Sequence, residues 1–101
     1  MHIVQILLPL ADNLGQPFPE SLLGDVREEL VSRFGGLTAY GRAPALGVWA
    51  HEGARQKDDI VVVEVMVGNL DEVWWRSFRV RLEKLLAQEE VVVRAFEITT
   101  F

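Results

Sequence analysis

Residues 58–66, Asp-Asp-Ile-Val-Val-Val-Glu-Val-Met, form the most legible pattern in the chain: a nearly unbroken β-branched run with one carboxylate inside it. β-Branched side chains suit a pleated, buried surface, and Asp58-Asp59 and Gly68-Asn69 bracket the run, so it reads as a central strand. The period of two places Val61, Val63, Val65 and Val67 on one face. Ile60, Val62, Glu64 and Met66 fall on the other. One face is wholly apolar and the other carries a charge.

Residues 2–8 are a second short apolar run, ended by Pro9, and read as the other central strand. Residues 11–17 gather Asp, Asn, Gly and Pro and read as a loop. From Pro19 the period lengthens: Leu22 or Leu23, Val26, Leu30 and Phe34 mark an amphipathic helix. Pro19 and Glu20 suit its start, and Gly35-Gly36 supplies a left-handed stop. Gly24 inside it is expected to allow close packing on the sheet. Residues 37–40 and 46–51 read as one interrupted strand or two short ones around Gly41-Arg42-Ala43-Pro44, a segment suited to a sheet edge or bulge. Residues 52–57 return the chain as a hairpin. Residues 70–88 form a second helix, with Asn69 as its expected N-cap. Trp75, Phe78, Leu82, Leu85 and Leu86 share its apolar face, with Trp74 beside them and Val73 and Val80 opposite. A last strand runs from 91 to about 101. The order βαββαβ predicts an α+β fold, the ferredoxin-like plait: a four-stranded antiparallel sheet with both helices on one face. With 101 residues, the chain 1–101 is read as a single domain.

Such a sheet leaves one face bare. The all-valine face of 58–66 suits the helices, which assigns Glu64 to the bare face. Alternation along the first and last strands predicts that Gln5 and Arg94 project beside it. Around them lie Ile3, Leu7, Ile60, Val62, Met66, Val92 and Phe96, too apolar a set to face water. Two covers are expected: a second copy of the chain, giving a homodimer through the sheet face, or a small-molecule ligand held by Arg94 with Glu64 as base.

Charge and composition narrow the partners. Ten basic against fifteen acidic residues give a net charge of −5, and no basic cluster stands out, which argues against nucleic-acid binding. The chain has no cysteine, so disulfides, thiolate metal sites and a cysteine nucleophile are excluded. His2 and His51 stand 49 positions apart and show no metal-motif spacing, so no metal is expected. The glycines match neither a phosphate loop nor a dinucleotide fingerprint, and no cofactor is expected. No apolar run reaches membrane-spanning length and the first residues lack a signal-peptide pattern, so the expectation is a cytoplasmic protein without a membrane partner.

The recognition candidates are Tyr40, Arg42 and Trp49, an aromatic, a guanidinium and an indole beside an edge strand, with Arg94 as a further anion ligand. Packing at an interface between copies would use the same residue types. His51 and Glu64 are the candidate proton-transfer groups. Their alternative roles are a surface histidine and an interface ion pair. Three readings follow: a homo-oligomer with an anionic small-molecule pocket at the sheet face or subunit interface; a cofactor-free enzyme that moves a proton on a small organic acid; and a regulatory or adaptor module docking through Val73 and Val80 or residues 42–46.

The string Arg33-Phe34-Gly35-Gly36-Leu37-Thr38, followed by Gly47-Val48-Trp49, the Glu64 strand, and Gln88 shortly before Val91-Val92-Val93, resembles a family of small uncharacterised bacterial proteins with a ferredoxin-like fold. The resemblance implies the fold and carries no reaction with it. Glu89-Glu90 and residues 42–46 depart from the family's pattern. The plait is also similar to the dimeric α+β barrel group, whose members include small-molecule oxygenases and isomerases.

Overall fold

The alternation along the apolar runs becomes the two sides of one sheet. In a computed structural model, the backbone of residues 1–51 and 54–101 and the side chains of residues 1–39 and 60–101 are described. The elements are β1 (His2–Pro9), α1 (Glu20–Phe34), β2 (Thr38–His51), β3 (Ala54–Val67), α2 (Glu72–Leu85) and β4 (Val93–Glu97). The sheet order is β2-β3-β1-β4, antiparallel throughout. β1 and β3 are the centre, as their apolar composition requires.

β1 turns Val4, Ile6 and Leu8 toward the helices, and β3 turns Val61, Val63, Val65 and Val67 the same way; Val4 is 1% exposed and Val65 fully buried. Against them α1 packs Leu23, Val26 and Leu30, and α2 packs Trp75, Phe78 and Leu82. Phe34 at the end of α1 stacks on Trp75 at 5.1 Å, while Trp74 stacks on Phe78 at 5.2 Å, so aromatic contacts join the end of one helix to the start of the other. Arg33 lies over the Trp74 ring at 4.3 Å and reaches Asp71 at 4.0 Å. Arg81 on α2 donates to Glu29 on α1 at 2.8 Å, a second tie between the helices.

Several boundaries differ from the sequence expectation. α2 begins at Glu72, and Asp71 rather than Asn69 is its N-cap: the Asp71 carboxylate accepts from the Trp74 amide at 3.1 Å and places negative charge at the positive helix end. Leu70 then packs against the core ahead of the helix. At the other end Leu85 stands 53% exposed and only Leu86 is buried. The chain reverses there through Ala87 in the left-handed region (φ 51), with Ala87 N–H donating to the Lys84 carbonyl at 3.3 Å and Gln88 N–H to the Glu83 carbonyl at 2.9 Å. These two bonds make a Schellman cap, here without glycine. Gly35 caps α1 with φ 84 and donates to the Val31 carbonyl at 2.7 Å.

β4 spans Val93–Glu97, shorter than residues 91–101. The Val91 amide is taken by the Glu83 carboxylate at 2.9 Å and its side chain enters the core. Past Glu97, which pairs with His2, β1 offers only the Met1 carbonyl, which accepts from Ile98. β2 is one edge strand whose register with β3 shifts between Tyr40 and Ala45, the segment containing Pro44. β1 reaches β3 only as far as Ile60, so residues 54–59 pair with β2 alone. Gly24 does not serve close packing: a Cβ there would meet only the Arg27 guanidinium, at an ordinary 3.7 Å.

Candidate functional site

Register aligns Thr38, Glu64, Gln5 and Arg94 as one row across four strands, on the face the helices leave open. The Gln5 side chain joins its two charged neighbours. Its amide N–H₂ donates to Glu64 Oε2 at 2.7 Å, and its amide oxygen accepts from Arg94 Nε at 2.8 Å. A glutamine side chain is uncharged yet can present a donor to a carboxylate and an acceptor to a guanidinium at once. Glu64 is half-buried and Arg94 exposed, so solvent screens this chain of bonds and its worth to folding is on the order of 1 kcal/mol or less.

Apolar rows flank it. On one side Ile3 lies between Met66 and Phe96. On the other Leu7 lies beside Val62, and its amide donates to the Val92 carbonyl at 2.9 Å. Met66 is 52% exposed and Phe96 45%, large values for side chains standing on the flat of a sheet. The arrangement is apolar, then charged, then apolar.

The structure thus brings Glu64, Gln5 and Arg94 together as the alternation implies. The side chains of Tyr40, Arg42, Trp49 and His51 lie outside the described residues. Their backbone places are given: Tyr40 pairs with Val62, Arg42 falls in the register shift, Trp49 pairs with Gln56 and His51 with Ala54. Gln56 stands eight residues along β3 from Glu64, roughly 26 Å at strand spacing. His2 sits with Nε2 at 3.9 Å from Glu97, its Nδ1 buried without a hydrogen-bond partner among the described residues. Asp12 closes its own loop, accepting from Leu14 and Gln16 amides at 2.9 Å, which is turn chemistry. Among the described residues no group of three or more His, Asp or Glu could hold a metal, and no helix is long and apolar enough to cross a membrane.

Sequence reasoning missed a cleft of about 250 Å³ on the opposite, helix side of the sheet, between α2 and β4. Arg76 and Arg79 line it, three residues apart on one helix. That spacing was the available signal, but only the gap beneath the helix gives it meaning.

The phage SAM lyase in complex with S-methyl-5'-thioadenosine superimposes with a TM-score of 0.62 at 16% identity, covering 95% of this chain and 80% of its own. The divalent cation tolerance protein CutA1 of Thermus thermophilus gives 0.62 at 13% identity, covering 100% of this chain and 87% of its own. The fold is the ferredoxin-like plait. At such identities the likeness reaches no further than fold. No protein-family model matches the chain, and no curated protein is similar to it.

Proposed function

We propose that this ferredoxin-like chain is a cytoplasmic homodimer that buries its open sheet face against a second copy and works as a small-molecule-binding module. The observation that carries the assembly is the ordered row Glu64, Gln5, Arg94 between two apolar rows. Such a face is self-complementary in one way. A two-fold axis lying between the sheets and parallel to β1 exchanges the two sides of each row, setting Glu64 over Arg94 of the partner subunit and apolar rows over apolar rows. A two-fold axis running across the strands would set Glu64 over Glu64 of the partner subunit, like charge on like. The charge order selects the first axis, and it leaves the two sheets aligned, the common packing of sandwiched sheets.

In that arrangement Glu64 and Arg94 are mutual partners across the interface, which favours an interface role for Glu64 over that of a proton-transfer base. Sedimentation velocity tests the assembly. The parent chain is expected to sediment as a dimer, Arg94→Glu as a monomer, and the double exchange Glu64→Arg/Arg94→Glu as a dimer again, since the Gln5 amide can turn to suit the reversed charges. A parent chain that stays monomeric at every concentration contradicts the proposal.

A further inference from the structure

We infer that the cleft between α2 and β4 is a binding site for a small organic anion, a carboxylate or phosphate monoester attached to a compact apolar body. This inference does not rest on the dimer: apart from Arg94, the cleft is lined by Leu70, by α2 and by the inward-facing residues Val4, Val93 and Ala95.

The cleft exists because α2 does not cover the inward side of the edge strand. Val4 on β1 is buried, yet its partner on β4, Ala95, is exposed on that same inward side. The short Ala95 side chain leaves space that a larger residue would fill. Val93 and Ala95 form the floor, and Trp75 and Leu70 the apolar wall. At about 250 Å³ the space lies just under the usual range of drug-sized pockets, which limits the ligand to a small acid.

Its charges are of one dominant sign. Arg76, Arg79 and Arg94 line it, the last with its Nε–H donated to Gln5, and Glu72 contributes negative charge. Glu72 is already held by Arg76 at 3.4 Å. No ion pair engages Arg79 among the described residues. On a chain of net charge −5, an unengaged guanidinium beside an apolar wall is a local positive feature that draws an anion in and can hold it through two donors. The indole of Trp75, buried against Phe34 and Phe78, gives the apolar body a rigid surface.

The test is a titration of the full chain with benzoate, phenyl phosphate and inorganic phosphate, followed by amide and indole N–H chemical shifts. Benzoate and phenyl phosphate are expected to give saturable shifts confined to residues 70–79 and 93–95, with inorganic phosphate weaker at least fivefold for want of the apolar wall. Arg79→Gln is expected to weaken phenyl phosphate about tenfold, and Ala95→Leu, which fills the floor, to abolish the shifts. Arg81→Gln, whose parent guanidinium is held by Glu29 outside the cleft, is expected to change nothing. Each variant is checked for an unchanged amide spectrum away from the cleft, and Arg79→Lys keeps the test decisive if Arg79→Gln misfolds, retaining charge while losing the paired donors and most of the affinity. Absent saturation with both aromatic anions, or binding untouched by Arg79→Gln and Ala95→Leu, overturns the inference. Inorganic phosphate binding as tightly as phenyl phosphate overturns the assigned ligand class.

Discussion

The two faces of the sheet come from the same strands, one residue out of phase, and meet opposite fates. On β1, Val4, Ile6 and Leu8 vanish into the core while Ile3, Gln5 and Leu7 remain partly open. On β3 four valines are buried, whereas Val62, Glu64 and Met66 face out. The outward set is nearly as apolar as the inward one and differs chiefly by a single row of polar residues. A face built for water alternates apolar-in with polar-out along each strand. Among the described residues the polar ones are collected into one row, and that row is ordered by charge, which is what a specific contact needs and a solvated surface does not.

The comparison is sharpest when the same side chain is removed from each face. Phe78, in the core beneath the helices, is 2% exposed, and Phe78→Ala is expected to cost about 3–5 kcal/mol by urea denaturation. Phe96→Ala on the open face, measured in the Arg94→Glu background expected to be monomeric, is expected to change stability by no more than about 0.5 kcal/mol. In the parent background Phe96→Ala is expected instead to weaken the dimer. A large loss of monomer stability from Phe96→Ala would show that the open face is a second core and break the comparison.

Two modest gains in stability lie in the helices that cover the inner face, where two residues sit against their local preference. Gly24 is inside α1 with room for a methyl group, so Gly24→Ala is expected to stabilise by about 0.5–1 kcal/mol. Ala87 holds a left-handed cap, so Ala87→Gly is expected to stabilise by about 1 kcal/mol. Urea midpoints check both, and neither substitution is expected to alter the sedimentation of the dimer.

The plait and the polar row were legible because both rest on the period of two, which tertiary contacts do not alter: once β1 and β3 are central, Gln5, Glu64 and Arg94 must share a side. Helix ends were less legible. Asn69 and Asp71 are both good caps by type, and the choice depended on Leu70 finding the core. The end of the last strand depended on how far β1 reaches, and its start on Glu83 capturing the Val91 amide across eight positions. The cleft was illegible for a different reason. It is a space between elements, set by where α2 lies over β4, and no residue spacing encodes a gap. Nor does the sequence show that Phe34 meets Trp74 and Trp75, because that contact joins the end of α1 to the start of α2 across two intervening strands.

The central claim, that the open face meets its own copy about an axis parallel to β1, is tested most directly by isotope-filtered nuclear Overhauser measurements on a mixture of labelled and unlabelled chains. Intermolecular contacts are expected between the Met66 methyl and the Phe96 ring of the partner subunit, with Ile3 near Ile3 of the partner subunit. Intermolecular contacts from Met66 to Val62 of the partner subunit, contacts only on the outer side of α2 at Val73 and Val80, or none at all, would contradict it.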